Sequence, residues 1–131
     1  MKIYFADTNI FLRFLLQDNL QQYNQAKNYF ILAKAYKIKI LVLSEIVLEI
    51  DYVLKKVYSL SRVEISQKII DLVSCAYFDV KDRDLWLNSL ELYSITNFDL
   101  VDIFIFEKAS HEGAEVLSFD QDFRKLKKFK R

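Results

Sequence analysis

The chain has 131 residues, 53% of them hydrophobic and 28% charged, with a formal net charge of +1. That is the balance of one folded domain over residues 1–131 rather than a disordered segment, and a net charge so near zero announces no nucleic-acid partner by itself. A single cysteine (Cys75) excludes an internal disulfide, no signal-peptide pattern opens the sequence, and no apolar run approaches the ~20 residues of a membrane span, so a reducing cytoplasm is expected and a membrane is not.

Residues 2–6 ("KIYFA") read as a short buried strand, and residues 8–16 as a first helix. Residues 20–36 place Tyr23, Ala26, Phe30 and Ala33 at a helical period, with Asp18 or Asn19 as the cap. Residues 38–43 ("IKILVL") form a second buried strand, after which Ser44 caps a helix to about residue 57. Ser61 with Glu64 three residues on is a capping-box signature for a helix over 62–74. Residues 76–80 ("AYFDV") are a third strand, and a helix follows from about 83 to 93. Asp99 caps a helix over 100–112, Gly113 ends it, and residues 115–118 are a fourth strand. With no proline and one glycine, no linker or repeat is visible. Strands separated by helices imply parallel crossovers, and apolar strands without alternation imply burial on both faces. The expected fold is a three-layer α/β/α domain around a mostly parallel sheet of four to five strands.

In an open parallel sheet, ligands bind beyond the carboxyl ends of the strands. Asp7 follows the first strand directly, and Asp120 follows the fourth in "LSFDQDF". Glu49 lies early in the helix after the second strand, with Glu45 one turn before it, and Asp102 lies in the first turn of the helix before the fourth strand. With right-handed crossovers these acids point to one edge of the sheet. Two carboxylates ~4 Å apart repel by ~4 kcal/mol at an effective dielectric near 20, so such a group protonates or binds cations. Hard oxygen donors favour Mg²⁺ or Mn²⁺, and no His/Cys cluster is present for zinc. The reaction class that follows is metal-assisted phosphate-ester hydrolysis.

Four stretches in order, "ADTNIFLRFLLQDN", "LSEIVLEIDYVLKKVYSLSRVEI", "DLVDIFIFEKA" and "LSFDQDF", together resemble the PIN-domain family, and within it the VapC-type toxins of toxin–antitoxin pairs. The resemblance implies a Mg²⁺- or Mn²⁺-dependent endoribonuclease acting on RNA, neutralised by a small antitoxin protein whose C-terminal part occupies the site. Carried over position by position, the metal-binding and catalytic acids are Asp7, Glu49, Asp102 and Asp120. Glu49 is chosen over Glu45 because Val47-Leu48 precedes it and Val53-Leu54 follows. Asn9 and Ser118 match polar positions that orient the acids, and Arg13 matches a position often held by arginine. Ile103-Phe104 stand where the family commonly has small residues.

Each of these residues also has a plainer reading. Asp7 can be the N-cap of the first helix, although Thr8 is able to cap it and leave Asp7 free. Glu49, between Leu48 and Ile50, is expected on a largely buried helix, where a free carboxylate needs a partner. Asp102 can be the favourable acid at the third position of a helix capped by Asp99, with Asp99 having at most an accessory metal role. Asp122 is read as a cap or as support for Asp120. His111, Cys75 and Trp86 are read as an exposed helix end and two packing residues. The end of the chain, "RKLKKFKR" (residues 124–131), carries six cations and no acid. It is read first as a solvated terminus and second as a contact for RNA phosphates. A homodimer is expected from the exposed apolar surface that small α/β domains use for pairing. Two other phosphoryl enzymes of similar fold fail on residues. Haloacid-dehalogenase-type phosphatases need an aspartate where Asn9 stands, and receiver domains need one where Lys81 follows Val80. A catalytically silent RNA- or protein-binding module is the remaining rival.

Overall fold

The structure, a computed structural model, describes residues 1–130. Lys2–Phe5 (β1) and Ile38–Val42 (β2) pair in parallel, with Lys2 opposite Ile38 and Phe5 opposite Leu41. Asp79–Val80 (β3) continues the parallel sheet on the far side of β2, giving the order β1-β2-β3. The α/β class and the parallel sheet agree with the sequence reading. The strand count does not, because three strands are present among the described residues rather than four or five.

Two local causes account for the difference. The strand expected over 76–80 is cut to two residues because Phe78 N donates to the Cys75 carbonyl at 3.2 Å, which turns the chain just before the sheet. The segment 115–118 runs as irregular chain and joins no sheet. β1 is therefore an edge strand, and Ile3 and Phe5 are exposed rather than buried on both faces. Leu117 and Phe119 are likewise fully exposed.

Seven helices are described: Thr8–Leu16 (α1), Leu20–Lys34 (α2), Ser44–Lys56 (α3), Arg62–Val73 (α4), Arg83–Ile95 (α5), Leu100–His111 (α6) and Asp122–Phe129 (α7). Asn19 rather than Asp18 caps α2, accepting from Gln22 N at 3.1 Å. The Ser61–Glu64 capping box on α4 forms in both directions. Ser44 does not cap α3. Leu43 takes the cap position, while the Ser44 hydroxyl accepts from the Trp86 indole at 3.1 Å. Gly113 sits at φ +68, where a side chain is strained whatever the space, and this ends α6. The last helix, α7, replaces the solvated terminus. Its buried Leu126 and half-buried Phe123 are three residues apart, one helical face among the cations. Arg131, the last cation of that stretch, lies outside the described residues.

The core has two parts. Phe11 of α1, Phe30 of α2 and Phe78 meet with ring centroids 4.9–6.0 Å apart, and Phe14 joins Phe30 at 4.8 Å. Along the packed helices α3 to α6, Trp86 stacks on Phe104 at 3.9 Å, and buried Tyr93 donates to Asp51 at 2.7 Å. None of the helices is long and apolar enough to cross a membrane, among the described residues.

Candidate metal centre

The acids at the start of α6 and α7 are brought together by backbone geometry. Asp99 holds the N-cap position of α6 in extended conformation without a side-chain cap bond, and Asp102 follows in the first turn. The Ser118 hydroxyl accepts from Asp120 N at 2.9 Å, and Asp120 Oδ1 in turn accepts from Asp122 N at 2.9 Å. These two turns fold the loop onto the beginning of α7. α7 packs against α6, and buried Glu107 of α6 accepts from Lys130 Nζ at 2.7 Å across that contact. One carboxylate oxygen from each of Asp102, Asp120 and Asp122 consequently lies within 4.8 Å of the others, the one such group of acids, cysteines or histidines among the described residues.

Three like charges in that space are electrostatically unfavourable. Burial first, and then the charges of Asp99, Asp120 and Asp122, push the Asp102 carboxyl above its ordinary value. An all-oxygen donor set of this kind suits a hard divalent cation, which would remove the repulsion. Asp120 is exposed and the other two are half-buried, so the group is open to a large solute.

The remaining expected site residues lie elsewhere or in other roles. Asp7 and Glu49 stand outside the group. Asp7 is exposed, and its Oδ1 accepts from Thr8 N at 2.7 Å, so Asp7 is itself the N-cap of α1. Thr8 does not cap. It is the first helical residue, and its buried hydroxyl has no protein partner. Asn9 is exposed on the same turn. Arg13 pairs with Asp18 at 3.0 Å and donates to the Tyr58 hydroxyl at 3.2 Å, tying α1 to the end of α3.

Glu49 is exposed, as is Glu45, which corrects the expectation of a buried carboxylate. The buried stripe of α3 is Val47, Ile50, Asp51 and Leu54, a 3-1-3 spacing that leaves Glu49 off the inner face. Adjacent helical residues do not share a face, so Leu48 and Ile50 were poor guides to Glu49. The buried acid is Asp51, which the sequence reading did not single out. It accepts from Tyr93 and lies 3.8 Å from Lys55. The i,i+4 pairing of Asp51 with Lys55 on the apolar period was the available signal. Asp122, read as a support, is a full member of the carboxylate group. His111 is exposed at the end of α6, Cys75 donates from Sγ to the Asp71 carbonyl, and Trp86 is fully buried.

Compared with known families, the chain matches the PIN domain over residues 4–129. No curated protein and no solved structure gives a significant match.

Proposed function

The chain belongs to the PIN domain family, and on that premise we propose that it is a Mg²⁺- or Mn²⁺-dependent endoribonuclease, the toxin of a toxin–antitoxin pair. PIN domains are generally metal-dependent nucleases. The observation that carries the reading for this chain is the convergence of Asp102, Asp120 and Asp122, with Asp102 pushed up by its neighbours. These three carboxylates fit a hard cation and would hold it, with Asp99 adding negative charge beside Asp102. When bound, a divalent ion supplies an acidified attacking water and neutralises charge on the phosphoryl oxygens. Ser118 fixes the loop that carries Asp120, and Asp120 fixes the start of α7 through Asp122 N. Asp7 and Glu49 complete the acid set in this reading. Thr8 and Asn9 stand beside Asp7, and Arg13 holds α1 in place through Asp18.

The toxin role draws on the order of the four sequence blocks. It brings a cytoplasmic setting, an antitoxin protein that covers the site, and a homodimer. Co-expression with the product of the neighbouring short reading frame should abolish nuclease activity and yield a complex that co-purifies.

A second reading, a silent RNA- or protein-binding module, draws on the separation of Asp7 and Glu49 from the carboxylate group. Incubation with structured RNAs, with and without Mg²⁺ or Mn²⁺, separates the two. Cleavage requires metal-dependent products that disappear in Asp7→Asn and Asp102→Asn. Products that persist in both variants would mean the acids are assigned wrongly, and the absence of products from the wild type would favour the silent module. Glu49→Gln against Glu45→Gln tests the choice on α3.

A further inference from the structure

A cleft of about 420 Å³ opens beside the carboxylate group, between the second half of α6, the segment 114–118 and α7. Asp120 stands in its lining together with Arg124 and Lys127 of α7, the half-buried rings of Phe106 and Phe123, and Ser110. Arg124 and Lys127 are three residues apart on a helix, hence neighbours on one face. Both are exposed, and neither has an ion-pair partner among the described residues. Lys130, three residues further, is occupied by Glu107, while Lys125 and Lys128 do not line the cleft.

The lining is asymmetric in charge. At one place it holds an acid of the proposed cation site, and along α7 it holds two free cations. A ligand that satisfies both must present repeated anionic groups, one for the bound cation and another for the guanidinium and ammonium. Between those groups it must present a flat apolar part for the two phenylalanine rings. A single-stranded polynucleotide has that pattern, with unstacked bases between phosphates. We propose that this cleft seats the nucleotide next to the scissile phosphate, with Arg124 and Lys127 holding the flanking phosphate and Phe106 and Phe123 facing its base. The proposal rests on the endoribonuclease reading and names residues that position its substrate.

The test is binding of a fluorescent single-stranded RNA oligonucleotide by anisotropy, in EDTA, across a salt series. The double variant Arg124→Gln/Lys127→Gln should bind about tenfold more weakly, and its salt slope should flatten by about 1.4, the value for two lost phosphate contacts on a single strand. The double variant Lys125→Gln/Lys128→Gln changes the net charge equally outside the cleft and should lose less than about threefold. Duplex RNA, whose stacked bases cannot enter, should respond nearly equally to the two doubles. Equal losses on single-stranded RNA, or no measurable binding by the wild type, would overturn the proposal. Cleavage assayed in parallel keeps the two readings apart. Metal-dependent products with equal binding losses defeat the cleft alone. No products, with the expected binding difference, defeat the nuclease alone.

Discussion

The packed helices α3 to α6 and the stretch from Ala114 to Lys130 place their acids in opposite circumstances. Among the helices, buried Asp51 is matched by Tyr93 and Lys55, and buried Glu107 by Lys130. Near the C-terminus, Asp120 and Asp122 crowd Asp102 with no cation among them, beside the fully exposed Leu117 and Phe119. Compensated charge and close packing maximise stability. Crowded, solvent-reachable charge lowers stability and leaves an affinity for cations. The contrast assigns the fold to the first region and the chemistry to the second.

Substitutions should separate the two regions by stability. Trp86→Ala, which empties the stack on Phe104 and frees the Ser44 hydroxyl, should cost about 3–5 kcal/mol in urea unfolding. Asp51→Ala, leaving the buried Tyr93 hydroxyl unpaired, should cost about 1–3 kcal/mol. Burial, and then the Asp51 hydrogen bond, raise the Tyr93 hydroxyl above its ordinary value. A folded value above the unfolded one means stability is intact below about pH 10 and is lost as pH rises beyond it. Tyr93→Phe should remove that share of the alkaline loss, as followed by thermal melts from pH 8 upward. An alkaline profile identical to wild type would show that Tyr93 does not titrate with unfolding.

Much of this was legible in the sequence where one local rule sufficed. The first helix, the capping box at Ser61 and the stop at Gly113 appear where their residues indicate. Asp102 and Asp120 come together, as acids at the ends of elements were expected to. Where a neighbour decides the outcome, the reading failed. Segment 115–118 has strand-like composition, but pairing needs an edge, and no strand takes it up. Glu49 and Asp51 differ by two positions on one helix, and only the packed stripe distinguishes outer from inner. The cations of α7 concealed the short apolar period of Phe123 and Leu126.

Smaller effects sharpen the contrast further. Ser61→Ala, which breaks the capping box at the start of α4, should cost about 1 kcal/mol. Leu117→Ser should lie within about 0.5 kcal/mol of wild type, since the side chain is fully exposed. A loss comparable to that of Asp51→Ala would mean the C-terminal stretch is packed like the helices and would erase the distinction.

The carboxylate group itself should respond in the opposite direction. Because Asp102 is raised in the folded chain, its stabilising protonated form is present at low pH and is lost as pH rises through that raised value. At neutral pH without metal, Asp102→Asn should therefore leave the melting temperature unchanged or slightly higher. Mg²⁺ or Mn²⁺ at a hundred times its dissociation constant should stabilise the wild type by about 2.7 kcal/mol. The Asp102→Asn variant should show little of that gain.

The most direct measurement joins the two properties of that residue: RNA cleavage with Mg²⁺ or Mn²⁺ and melting without metal, on wild type and Asp102→Asn side by side. The expected result is metal-dependent products from the wild type alone, with a variant at least as stable as its parent. A variant that cleaves as well as the wild type, or one that loses activity only because it unfolds, would contradict the assignment of the acids at the start of α6 and α7 to a metal centre.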